Sequence, residues 1–195
     1  MKRLYLLILL SILIWGSQPS FAQNGHLKFM GIPIDGPVSS FQQKLEAKGM
    51  SYDAQTSKSL EAGIRVMDGI FAGYKCEIVL YYTPKTKNMY EVQVLMESSD
   101  EETIGSRVRE MIELVTSKYD DSFYGLDTVN SIVILKVFPK RYPSDKDFLW
   151  TRCYGRIAIY RDDDDDDYYK NYRLRIFYTD QLNDDKNDES KLSDI

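Results

Sequence analysis

Six consecutive aspartates, Asp162 to Asp167, sit between two tyrosine-rich apolar stretches. Carboxylates at alternate positions, Asp162, Asp164 and Asp166, can converge on a hard cation that takes six to eight oxygens. The run has no glycine for the sharp turn of a calcium loop and no glutamate at the EF-hand closing position, so calcium held there would bind weakly, at about millimolar concentration. Six adjacent charges also repel one another and cannot enter a core, which makes a solvated hairpin loop the plainer reading and a cationic protein partner a third. No other cofactor is expected.

Catalytic chemistry is thinly represented. The chain has one histidine, His26, close to its start where termini are often loose, so a histidine-dependent triad is disfavoured. There is no His/Cys zinc spacing, no glycine-rich phosphate loop and no G-x-S-x-G. With 30 aspartates and glutamates a carboxylate pair for glycoside cleavage stays open, but nothing singles one out, and no catalytic residue is assigned.

The N-terminus constrains location. Lys2 and Arg3 precede the apolar run Leu4 to Trp15, and Ser20-Phe21-Ala22 follows as a small-residue cleavage site. Residues 1–22 therefore read as a secretory signal peptide, and the rest as an exported chain, periplasmic or secreted. The apolar run is short for a membrane span and no second one follows, so no transmembrane segment is expected after signal removal. Without Lys2 and Arg3, 23 basic side chains face 30 acidic ones, a balance that argues against a nucleic-acid partner. Cys76 and Cys153 are the two cysteines, and an oxidising compartment permits them to pair. Such a bridge would close a loop of about 77 residues, worth roughly 4–5 kcal/mol; two separate buried thiols are the other reading.

The elements that position these residues are legible from periodicity. Val38, Phe41 and Leu45 share a helical face over about 37–48, with Gly49 placed as a C-terminal cap. Ile104, Val108, Met111, Ile112 and Val115 mark a second helix, and Ser98 and Ser99 each stand three residues before a glutamate, the capping-box spacing. Period-two segments follow each helix, at about 64–71, 74–82 and 90–97, then at about 129–138, 149–161 and 172–179. Each half reads α-β-β-β, and "IVLYY" then "YEVQVLM" parallels "IAIYR" then "YRLRIFY". We expect a single α+β domain over 23–180, made of duplicated α-β-β-β units (29–97 and 98–180), with two helices packed on one face of an antiparallel sheet. The acidic stretch 181–195 is expected to be a flexible tail.

On the return strands Val92, Val94 and Met96 alternate with Gln93 and Leu95, and Leu174, Ile176 and Tyr178 alternate with Arg173, Arg175 and Phe177. One sheet face is therefore apolar and covered, the other mixed. Tyr81, Gln93, Leu95, Tyr160, Arg173, Arg175 and Phe177 are the candidate ligand residues of that open face. Tyrosine, 15 in the chain, offers apolar area with a polar tip and is also an ordinary strand residue.

The stretches "FMGIPIDGPVSSFQQKLEAKGM" (29–50) and "GIFAGYKCEIVLYY" (69–82) resemble small exported proteins of Bacteroides-type bacteria, which implies an envelope or secreted location. The duplicated plan is similar in outline to the β-lactamase inhibitory protein fold, whose open sheet face binds a protein. The expectation is an exported, non-catalytic binding or structural module receiving an unknown protein, peptide or glycan. The alternative is a carbohydrate-active or other envelope enzyme.

Overall fold

The structure is a computed structural model that describes residues 25–119, 123–127, 132–137, 155–164, 171–184 and 186. Two short strands, β1 (Lys28–Phe29) and β2 (Ile32–Pro33), form a hairpin, followed by helix α1 (Val38–Glu46). Strand β3 (Ser51–Asp53), the short helix α2 (Ala54–Ser59) and strands β4 (Ile64–Phe71), β5 (Tyr74–Tyr82) and β6 (Met89–Ser98) complete the first half. Helix α3 (Glu101–Lys118) leads into β7 (Phe123–Asp127), β8 (Ile132–Val137), β9 (Gly155–Asp164) and β10 (Asn171–Asp180). The last eight strands form one antiparallel sheet in the order β3-β4-β5-β6-β10-β9-β8-β7, so β10 lies between β6 and β9. The α+β class with an antiparallel sheet is as expected.

One sheet face carries the core. From β5 it receives Ile78 and Leu80, from β6 Val92, Val94 and Met96, and from β10 Leu174, Ile176 and Tyr178. Above these lie Val38, Phe41 and Leu45 of α1 and Ile104, Met111 and Val115 of α3, the stripes read from helical spacing. Gly49 adopts φ +91°, the left-handed conformation expected after α1.

The N-terminal hairpin is a third element of this layer. Leu27, Phe29, Ile32 and Ile34 are buried, and the Phe29 ring stacks on Phe71 at 5.4 Å while Tyr178 meets it edge-on at 5.1 Å. Both phenylalanines precede a two-residue turn with positive φ at each position, Met30-Gly31 (50° and 81°) and Ala72-Gly73 (50° and 86°). These are hairpin turns whose twist matches that of the flanking strands.

Several elements differ from the sequence expectation. The helix α3 cap is Asp100, which accepts from the Thr103 backbone N–H at 2.9 Å, whereas Ser98 accepts from the Asp100 N–H at 3.1 Å and the capping-box pairing does not form. Strand β9 runs on through Asp162, Asp163 and Asp164, which pair with Arg173, Tyr172 and Asn171. Half of the aspartate run is thus ladder rather than loop, because pairing to β10 overrides the low strand propensity of aspartate. Residues 181–184, placed in the tail by composition, form a helical turn, and Asn183 is buried.

A left-handed alanine crowds its own Cβ against the backbone, so Ala72→Asn, which restores the favoured Asn-Gly pair, is expected to stabilise the fold by about 1 kcal/mol in urea unfolding. An unchanged midpoint would mean that the turn is unstrained.

Candidate functional site: the open sheet face

Strand alternation and register settle which side chains share the face opposite the helices. Gln93 lies beside Phe177, Leu95 beside Arg175, and Arg175 beside Tyr160 on the far side of β10. Tyr81 lies beside Glu91, and Arg173 lies between Glu97 and Asp162. All seven candidate residues therefore occupy one face, spread over β5, β6, β10 and β9. Its floor is a cross-strand row of small or buried groups, Val66, Val79, Gln93 and Ala158, with Phe177 half-buried among them.

The side chains are mutually held. Tyr81 donates its hydroxyl to Gln93 Oε1 at 2.8 Å, which orients the amide. Tyr160 and Phe177 meet edge to face at 5.3 Å. Arg173 Nε donates to Glu97 Oε1 at 2.8 Å across the β6–β10 seam, and Arg175 Nη2 reaches Asp162 Oδ2 at 2.9 Å. The Nε of Arg175 and Oδ1 of Asp162 are buried without a hydrogen-bond partner. Asp162 thus faces an arginine on the open face. Asp164 closes β9, and Asp166 lies outside the described residues.

The face is electrically divided. Asp68, Glu77, Glu91 and Glu97 lie on β4 to β6, whereas Arg156, Arg173 and Arg175 lie on β9 and β10. Burial raises the Glu91 carboxyl above the usual glutamate range, against the hydrogen bond from Thr179 at 2.7 Å. Glu77 is raised as well, first by burial and then by Asp68, Glu97 and Asp53. Glu77, Asp68 and Glu97 border an open cavity of about 580 Å³ with Leu95, Lys75 and the exposed Ile70.

Two features lie off this face. Cys76 points into the core layer with a free thiol, its sulfur 3.7 Å from the Gly69 carbonyl oxygen, so no disulfide forms there; Cys153 lies outside the described residues. Burial pushes the Cys76 thiol up to about 11. His26 is not on a loose terminus. Its Nδ1 lies 3.1 Å from Asp180 Oδ1 and its Nε2 3.6 Å from Asp35. The fully buried Asp180 also accepts from the Leu27 N–H at 2.7 Å and the Asn183 N–H at 3.1 Å. Asn183 in turn donates to the Ile34 carbonyl at 3.0 Å, closing a clasp between the two ends of the described chain. Residues 154 apart leave no local signal for such a pairing.

Among the described residues no helix is long and apolar enough to cross a membrane, and no group of three or more His, Cys, Asp or Glu is arranged to hold a metal ion.

Three outcomes are expected. His26→Ala strips a donor from a buried carboxylate and should cost about 1–3 kcal/mol by denaturant unfolding. At about pH 8 a thiol reagent should leave Cys76 unmodified in the native protein and modify it in denaturant without reductant, as mapped by mass spectrometry. For Glu77 the raised pKa means that ionisation costs folded-state stability: the penalty is absent below the ordinary glutamate range and grows as pH rises through the folded value. Glu77→Gln should therefore melt above the parent at neutral pH and match it below about pH 4. Comparison with known proteins finds no family model, no curated protein and no solved structure that matches this chain.

Proposed function

We propose that the chain is an exported, non-catalytic binding or structural module of a bacterial envelope, using the open sheet face to receive a protein, peptide or glycan. The observation that carries this reading is the convergence of Tyr81, Tyr160, Phe177 and the arginine pair on one broad face, away from the layer of helices. Aromatic and arginine side chains supply most of the energy of protein interfaces, because each buries a large area for few rotors. The mutual contacts of these groups hold them in place before a ligand arrives, which lowers the entropy lost on binding.

The reading includes an internal duplication. Each half contributes three successive antiparallel strands, β4-β5-β6 and β8-β9-β10, and the two sets meet at the β6–β10 pair with the order mirrored about it. A repeated α-β-β-β unit accounts for that order and for the parallel tyrosine patterns of the two halves.

An envelope enzyme is the alternative, favoured by one observation: Glu77, with its raised pKa, borders the open cavity beside Asp68 and Glu97. A carboxyl whose pKa its surroundings raise is better matched to act as a general acid near neutral pH.

Capture from envelope extract separates the two. Tyr160→Ala and Phe177→Ala should each weaken capture of a partner at least tenfold with unchanged melting temperature. Glycan hydrolysis by the parent that is lost in Glu77→Gln would instead establish the enzyme.

A further inference from the structure

We infer that the open face is a self-complementary interface on which a second copy of this chain docks, the carboxylate half of one copy lying over the arginine half of the other. This rests on the reading of that face as a binding surface and names its occupant.

The argument starts from how charge is divided at the β6–β10 seam. On one side stand Asp68, Glu77, Glu91 and Glu97, with Lys75; on the other Arg156, Arg173 and Arg175, with Asp162. Such segregation is costly within one copy, because like charges crowd one another on a partly desolvated surface. At Glu77 burial opposes ionisation first, and Asp68, Glu97 and Asp53 then add to it. Arg173 to Glu97, at 2.8 Å, and Thr179 to Glu91, at 2.7 Å, join the halves across the seam.

A two-fold axis relieves that crowding. Set between two facing sheets and parallel to the strands above the seam, it places β6 of one copy over β10 of the other and β5 over β9. Each carboxylate then faces the arginine half, and the symmetry repeats every such contact. Strand levels follow from the register: Glu97 lies opposite Arg173, Tyr81 opposite Arg156, and Gln93 opposite Phe177. A two-fold perpendicular to the strands would instead set carboxylate over carboxylate, so the charge division selects the axis along them. Sheets packed in this way stand about 10 Å apart and cross at about 30°.

The floor and the size also suit this occupant. A row of Val66, Val79, Gln93, Phe177 and Ala158 runs unbroken across five strands, a closely packed floor between the charged flanks in which the half-buried Phe177 is the accessible apolar side chain. Six strands about 4.8 Å apart and about eight residues long cover roughly 600 Å² on each side before side-chain relief is added. That approaches the roughly 800 Å² per partner of a standard interface.

Sedimentation equilibrium of the full chain tests the inference. The parent should form a dimer dissociating in the micromolar range, loosened at least tenfold between about 0.05 and 0.5 M salt. Two variants then divide the charges: Arg173→Glu with Arg175→Glu makes both halves acidic, and Glu77→Lys with Glu97→Lys makes both basic. Each should be monomeric alone while still folded by circular dichroism, and an equimolar mixture should form a heterodimer. A parent that stays monomeric at about 100 µM overturns the inference, as does a dimer that both variants leave intact. If Tyr160→Ala still abolishes capture of another partner by a monomeric parent, the self-docking fails while the binding reading stands.

Discussion

Strand β10 is hydrogen-bonded along its whole length on both sides, to β6 from the first half and to β9 from the second. That double pairing is the constraint on which the rest depends. It turns two groups of strands into one sheet, sends Leu174, Ile176 and Tyr178 into the core, and sends Arg173, Arg175 and Phe177 to the opposite side. The strand ends at Asp180, whose buried carboxylate anchors His26 and the Leu27 amide. One strand therefore sets the core, the open face and the attachment of the N-terminal hairpin. A shift of its register by one residue would exchange arginine for leucine throughout, at a cost no local rearrangement could offset.

How much of this could be read in advance follows from where periodicity exists. Strands β6 and β10 each alternate, and their faces were legible to the residue: Gln93, Leu95, Arg173, Arg175 and Phe177, chosen from alternation, share one surface. Helices α1 and α3 were equally plain from their stripes. Strands of two or three residues, β1, β2 and β3, are too short to alternate, and α2 buries no side chain, so no stripe marked it. Its start at Asp53, which accepts from the Gln55 and Thr56 amides, was the one local clue. The His26 clasp left no trace because its partners are joined only by folding. Asp162 was misplaced in a loop for the opposite reason: composition spoke clearly there, and pairing with β10 overruled it.

The two faces of the sheet use polar chemistry differently. On the core side, polar groups are few and enclosed: Asp180 is satisfied by two backbone amides and a histidine, and the carbonyl of Ile34 by Asn183. Such groups fix one arrangement, because each would be orphaned by any other. On the open side the arginines and glutamates reach along the surface over longer spans and leave hydrogen-bonding capacity unfilled, as at Arg175 Nε. The first pattern closes a structure, whereas the second leaves it able to accept something more.

The order of the strands also has a temporal side. Because β10 is the last of the described strands and pairs with β6 at the seam of the sheet, β6 has no partner on its inner edge until residue 171 and those after it have been made. The N-terminal hairpin likewise waits for Tyr178 and Asp180, some 150 residues downstream of its own buried side chains. Contacts so distant in sequence form slowly, because the intervening chain must close a large loop first. A chain made from its N-terminus would thus stay short of this compact state until β10 had emerged.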